Sequence, residues 1–511
     1  MTQSFTNEPS SYWLDGPQIP EFAPLNESIR TDIVIVGGGI VGITAAYLLR
    51  NSGRLVTVLE GGRLLHGTTG YTTAKLTAQH GLIYDELIST FSEQQAGDYY
   101  EANRKAMDWV KQLVDELGID CGLETRPAYL YSESTKGEEQ LEKEYEAYQK
   151  LGIPGATLTT ETDLPFPIRK ALRLDDQLQF HPVYLLATLV KEATDAGVKF
   201  YENSRAKTVH MPSQVELVDG HKVDAQQVLV TSHFPFNDFE GLYFSRMRPE
   251  RSYAMTLRGN VQEDLGMYIN VESPTRSIRS VLDASGERLL QIGGEGHVSG
   301  RHEESTRNNY AKLRDFAAEH FGTTEVTHHW SAQDLAPLDH LPYIGQMVTG
   351  MPNVFVATGF SKWGMSNGIA AAHILHDLAL DRSNPYEELF SPTRSKLKPK
   401  DVGSFIKDNA GVAKELIKGK LTGAEASLDE LGLDEGKIVR VDGQKLAAYK
   451  DEQGAVTFVK PACTHMGCDV AFNQAERSWD CPCHGSRFSY RGDVLEGPAT
   501  EPLEQVQPKQ S

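Results

Sequence analysis

Four of the chain's five cysteines fall in two short stretches near the C-terminus, "CTHMGC" at 463–468 and "CPCHGS" at 481–486, each with one histidine. The pattern Cys463-x-His465, fifteen residues, Cys481-x-x-His484 puts one thiolate and one imidazole in each segment. Neither segment alone supplies four ligands, so a metal here must tie the two together. Three chemistries compete for such sulfur: a zinc site, a disulfide staple and a redox cluster. Zinc fingers set Cys beside Cys and His beside His along the chain, an order that C-x-H followed by C-x-x-H does not keep. A c-type haem needs C-x-x-C-H, which neither stretch contains. A [2Fe–2S] centre with two thiolates on one iron and two imidazoles on the other takes this set as it stands.

The residues before these stretches predict what holds them. "KIVRV", "KLAAYKD" and "VTFVK" are short alternating runs separated by "DGQ" and "DEQG" turns, the pattern of a small antiparallel β module over 426–511. A lysine-rich connector at 391–425, containing "TRSKLKPKD" and "IKDNAGVAKELIKGKL", reads as a solvated linker with an amphipathic helix. The alternative is peripheral contact of that helix with an anionic membrane.

A second constellation opens the chain. In "TDIVIVGGGIVGITAAYLLRNSGRLVTVLEGG" (31–62) a β-branched apolar run enters Gly37-Gly38-Gly39-Ile40-Val41-Gly42, and a helical stretch and a second strand ending in Glu60 follow. Gly37 permits the tight turn, Gly39 lets the backbone approach a pyrophosphate, and Gly42 lets the helix pack closely on the strand. The helix start at Ile40 and Val41 offers N–H groups and partial positive charge to phosphate. Glu60 is placed for an adenosine ribose. A second nucleotide motif is missing: Gly294-x-Gly296 is followed by Ser299 instead of a third glycine. The electron donor is therefore expected to be a small organic substrate and not a nicotinamide.

At 511 residues the chain calls for two or three domains. Its formal charge of −20 argues against nucleic-acid binding, which needs a lysine and arginine surplus. No apolar run approaches the roughly 20 residues of a membrane span. The opening "MTQSFTNEPSSYWLDG" has neither the basic nor the apolar region of a secretory signal, so a cytoplasmic location is expected. Helical spacing predicts helices through 85–150, which with 245–335 form the substrate side.

"GGRLLHGTTGYTTAKLTAQHG" (61–81), "AQQVLVTSHFPF" (225–236), "RSIRSVLDASGERLLQIGGEGH" (276–297) and "VFVATGFSKWGMSNGIAAAHIL" (354–375) follow the glycine motif in order. Over about residues 30–385 the chain resembles the D-amino-acid-oxidase-like flavoproteins, which include glycine and sarcosine oxidases. The resemblance implies FAD, held by the glycine motif with Arg63, Thr68, Thr69, the backbone at Ala206, and Gly359, Gly364 and Met365 at the start of a helix aimed at the flavin. It also implies a substrate-carboxylate clamp at Arg279, with Arg276 as the neighbour able to replace it, and Lys75 facing the flavin. Lys362 and Trp363 depart from the "GFSGHG" loop of sarcosine oxidases.

The cysteine loops resemble those of the Rieske proteins of cytochrome bc complexes, and "GPATEPL" (497–503) resembles the proline loop that covers their cluster. The resemblance implies Cys463, His465, Cys481 and His484 as ligands, a Cys468–Cys483 disulfide, and a Ser486 hydrogen bond to the cluster. Phe488 stands where those proteins have a tyrosine donor. Losing that donor is expected to lower the potential within a range of roughly −150 to +300 mV.

Together these readings give an α/β plus β architecture. A Rossmann-like FAD domain (1–390) carries an α+β substrate subdomain (about 85–175 and 245–335), then come the linker and a small all-β Rieske domain. The expected function is oxidation of a small amine or amino acid, with electrons relayed through the cluster to an external one-electron acceptor protein; the flow reverses if that partner is a donor. The alternatives are an O₂-using oxidase with a structural cluster and a non-catalytic redox sensor or carrier.

Overall fold

The computed structural model describes residues 8–238, 240–283, 285–302, 304–394 and 426–507. The connector helix expected within 391–425 lies outside the described residues, apart from 391–394. Among the described residues no helix is long and apolar enough to cross a membrane.

The run 33–36 is apolar at every position because the strand Ile33–Val36 lies in the middle of a six-stranded sheet, buried along its whole length. The order is Tyr343–Gln346, Val354–Thr358, Gln227–Val230, Ile33–Val36, Val56–Leu59, Lys199–Tyr201, parallel except at the Tyr343 edge. Gly37 follows at φ +118°, where an added Cβ would lie 2.5 Å from Thr231 O, so a side chain fits neither the turn nor the space. The helix Ile40–Leu49 then packs onto the strand through Gly42, whose added Cβ would fall 1.9 Å from Gly37 O. A second helix, Gly364–Ala379, approaches it closely at Gly368, where a Cβ would lie 3.1 Å from Ile40 Cγ2.

A larger sheet stands beside this one, running Glu325–Pro337, Met247–Arg258, Arg288–Val298, Arg276–Leu282, Met267–Asn270, Glu124–Ser132, Lys170–Gln179 and Lys75–Leu76. The expectation of helices throughout 85–150 is corrected here. Helices Glu93–Leu117 and Thr135–Lys150 form, but Glu124–Ser132 between them is a strand. The first helix stops at Gly118 in a left-handed turn (φ +61°), and the aromatic-rich "AYLYS" then pairs against Lys170–Ala171 through Leu174.

The C-terminal module has two antiparallel sheets. One holds Glu435–Val441, Gln444–Lys450 and Val456–Val459; the other holds Ala471–Asn473, Ser478–Asp480, Arg487–Ser489 and Val494–Glu496. It is docked on the large sheet by buried charge. Arg251, fully buried on the Met247–Arg258 strand, places Nη2 3.2 Å from Glu496 and Nε 3.8 Å from Asp480. Arg487 closes the group from the module's own side, 2.8 Å from Glu496 and 3.1 Å from Asp480. Further out, Arg301 Nε donates to Pro482 O (2.9 Å), Thr306 Oγ1 donates to Asn473 Oδ1 (2.8 Å), and Arg307 pairs with Asp434.

Candidate flavin cavity and cluster site

Between the two sheets lies a cavity of about 680 Å³. Gly37, Gly39, Ile40 and Val41 line it from the first turn, with Glu60, Arg63, Thr68, Thr69 and Ala206 beyond. Gly39 caps its helix without a side chain, leaving the helix start open to the cavity. Thr69 Oγ1 accepts from Ile40 N (2.9 Å), tying the 67–75 segment to that helix start. Glu60 is half-buried in the cavity wall; loss of solvent pushes its carboxyl up, while the N–H groups of Gly38 (2.8 Å) and Gly62 (2.7 Å) hold it partly back. Arg63 reaches outward to Glu21, 2.5 Å away. Gly364 and Met365, the first residues of their helix, line the opposite end. Gly42 and Gly359 are not in the lining. Gly359 serves the turn after its strand, at φ +79° against Pro337.

The substrate side departs from expectation. Arg279 does not line the cavity. It is 2% exposed, and its guanidinium donates to Thr73 O (2.8 Å), Ala74 O (2.5 Å) and Ser280 O (3.3 Å). Its fork is thus turned onto backbone carbonyls and supports the segment leading into Lys75. Arg276 is also occupied, paired with Glu295 at 2.5 Å. Neither presents a free clamp for a carboxylate.

Lys75 does line the cavity, beside Thr73, Ser277 and Asn270. Its Nζ donates to Tyr268 O (2.7 Å), and burial followed by repulsion from Arg279 pushes the amine down to about 7. His80 stacks on Trp363 (ring centroids 4.8 Å, 21° between planes) and contacts Tyr99 OH (2.6 Å) and Ser366 Oγ (2.9 Å). Burial holds its imidazole down at about 3, so it stays neutral. Lys362 pairs with Glu250 (3.2 Å) at the cavity edge.

The remaining wall comes from the far end of the chain: Val494 to Thr500 of the C-terminal module line the same cavity. Arg205 Nη2 donates to Val494 O (3.1 Å), fastening this segment beside the Ala206 backbone. On its other side, Ala499 N donates to Ser486 Oγ (3.0 Å), and Ser486 belongs to the second cysteine loop.

The two cysteine loops are folded alike. In the first, Cys463 N donates to Cys468 O and Gly467 N to Cys463 O; in the second, Cys481 N donates to Ser486 O and Gly485 N to Cys481 O. Cys468 and Cys483 are joined, S–S 2.09 Å. The Cys481 sulfur lies within 4.8 Å of both, but the disulfide spends those two as ligands. Cys463 and Cys481 remain free thiols, buried together. His465 and His484 complete the set, with ring centroids 5.1 Å apart. His484 Nδ1 is buried without a hydrogen-bond partner, and burial pushes the ring down to about 3, keeping it in the neutral form that binds metal. Two free buried thiols beside an unpartnered buried imidazole nitrogen fit a [2Fe–2S] cluster with mixed ligands.

The histidine edge does not face solvent. Phe244 stands edge-on to His484 (5.2 Å) and His465 (6.2 Å), and Asp238 Oδ2 is 3.3 Å from His465 Nε2. Asp238, Phe244, Arg205, Arg251 and the 494–500 wall were not found by sequence reasoning. "GPATEPL" signalled a loop over the cluster, but no local pattern tells which surface lies on its other face.

Comparison with known proteins agrees with this geometry. The family model for FAD-dependent oxidoreductases (DAO) matches residues 32–378, and that for the Rieske [2Fe-2S] domain matches 424–507. The chain is 40% identical over 509 residues to the putative Rieske 2Fe-2S iron-sulfur protein YhfW of Bacillus subtilis, covering 99% of each. It is 23% identical over 388 residues to gamma-glutamylputrescine oxidoreductase of Escherichia coli, covering 73% of this chain and 89% of that one. Glycine oxidase from Geobacillus kaustophilus shares the fold of the first module, with a TM-score of 0.61 at 21% identity over 72% of this chain and 99% of that one. The chain belongs to the FAD-dependent oxidoreductase family, carries a C-terminal Rieske domain, and has FAD and a [2Fe–2S] cluster as its cofactors.

Proposed function

We propose that the protein oxidises a small amine or amino acid at the flavin and passes the electrons, one at a time, through the cluster to an external carrier protein. One observation carries this reading: the segment that covers the cluster loops, Val494 to Thr500, is also a wall of the flavin cavity. Glycine oxidase and gamma-glutamylputrescine oxidoreductase, by their names, support the substrate class.

When bound, FAD supplies the two-electron acceptor and the cluster a one-electron relay. Cys463, Cys481, His465 and His484 would hold the cluster. The glycine turn with Ile40 and Val41 would hold the pyrophosphate and Glu60 the ribose, and the helix start at Gly364–Met365 would offer partial positive charge to the flavin. Lys75 manages the proton. An amine gives up hydride only once it is neutral, and an uncharged Lys75 keeps a lone pair free while donating one N–H to Tyr268 O. It takes the proton from the substrate ammonium and holds it at Nζ.

The test is an anaerobic titration with a panel of amines and amino acids, following flavin absorbance and cluster EPR together. Flavin bleaching followed by the EPR signal of a reduced cluster is the expected result. Bleaching with an unchanged cluster would leave an oxidase with a structural centre, and no bleaching with any compound would leave a sensor or carrier.

A further inference from the structure

One internal residue bridges the cluster loop and a residue of the flavin cavity wall. Gln333 is fully buried on the Glu325–Pro337 strand, opposite Arg251. Its side-chain Nε2 donates to Gly485 O at 3.0 Å, and Gly485 follows His484 directly in the second cysteine loop. Its backbone carbonyl accepts from Thr68 Oγ1 at 3.3 Å, and Thr68 lines the flavin cavity. The amide is fixed in this orientation because Ser299 Oγ donates to Gln333 Oε1 at 2.6 Å, leaving Nε2 to face Gly485.

Space is fitted as tightly as the hydrogen bonds. Gly485 lies at φ +76°, and a Cβ there would sit 3.0 Å from both amide atoms of Gln333 and 2.6 Å from Pro249. The cluster loop is therefore seated against Gln333 with no room for another side chain.

We propose that Gln333 is the positioning residue for electron transfer between the two cofactors. It fixes the His484–Gly485 segment against Thr68 and supplies a path of covalent and hydrogen bonds from cluster ligand to flavin cavity. In each transfer the reduced flavin loses one electron and one cluster iron passes from ferric to ferrous. Two transfers return the flavin to its oxidised form, its protons leave to solvent, and the external carrier removes the electrons singly. This assignment rests on the relay reading above.

Gln333→Met keeps the length of the side chain and removes both amide hydrogen bonds. The docking contacts at Arg251, Arg301 and Thr306 do not involve Gln333, so the modules remain joined. The experiment uses the full holoprotein without substrate: the bound flavin is photoreduced by a laser flash in the presence of EDTA, and arrival of the electron at the cluster is timed. FAD and iron content, both midpoint potentials and the cluster EPR spectrum are measured alongside. The expected result is transfer slowed by about 10-fold or more, with content, potentials and EPR spectrum as in the unaltered protein. Transfer at the unaltered rate overturns the assignment, and so does slowing that a shifted potential accounts for. No transfer in the unaltered protein overturns the relay reading itself, whatever the variant does. Should Gln333→Met fail to assemble, Ser299→Ala, which frees the amide to turn, carries the same test, with a smaller slowing expected and an unaltered rate overturning the assignment.

Discussion

Arg251 of the flavin module lies 3.2 Å from Glu496 of the cluster module, with the Arg251 side chain wholly buried. Burial alone would raise Asp480 and Glu496, but Arg487 and Arg251 more than offset it and hold both carboxyls below their ordinary range. Arg251→Met should leave buried carboxylates under-compensated and destabilise the docked state by about 3–5 kcal/mol. Calorimetry should then show the two modules melting apart where the unaltered protein melts together. Folded values below the unfolded ones mean that this contribution is present above about pH 4 and is lost as the pH falls through the folded values. Acid titration of Tm should therefore be steeper in the unaltered protein than in the variant.

Lys75 should give the pH profile an ascending limb on its acid side. With its amine down at about 7, the proton-accepting form grows as pH rises through that value, and kcat/KM should rise with it. Lys75→Met should lower kcat/KM by about 100-fold or more and remove that limb from the pH profile. A profile unchanged in shape would exclude Lys75 as the base.

Gly42→Ala should empty the flavin site without touching the cluster. The added methyl meets Gly37 O at 1.9 Å, a backbone contact that cannot yield cheaply. Purified variant is expected to carry iron at the normal ratio and little or no FAD, read from its visible spectrum.

The Cys468–Cys483 bridge closes a short loop across both ligand segments, with a sequence separation of 15. Cys468→Ala with Cys483→Ala should cost about 3 kcal/mol of stability if the unfolded chain alone is affected. The cluster should bleach faster in air and on warming, while flavin absorbance decays as before. Equal bleaching rates in both proteins would show that the loops hold their shape without the bridge.

Much of this could be read from the sequence because the signals are local. The turn from Val36 through Gly42 to Glu60 is dictated by steric room and helix-start chemistry within thirty residues, and the cysteine loops carry their ligands at fixed short spacings. Arg279 shows where such reading stops. Its place on the Arg276–Leu282 strand was found, but whether its guanidinium meets a substrate or the carbonyls of Thr73 and Ala74 depends on a segment some 200 residues away. The strand Glu124–Ser132 was lost for a related reason, since strong helical patterns on both sides hid a β-pairing set by distant partners. Gln333, Phe244 and Asp238 carry no motif at all, and their roles exist only once the modules are docked.

Val36 and Thr500 line one chamber, so the chain through Thr500 must leave the ribosome before that chamber is closed. A nascent chain displaying a finished glycine turn still lacks a wall. Flavin capture in its final enclosed form therefore waits for Thr500, and splitting the gene between its two modules would leave the first product with the cofactor-facing residues but an open side where Val494 to Thr500 belong.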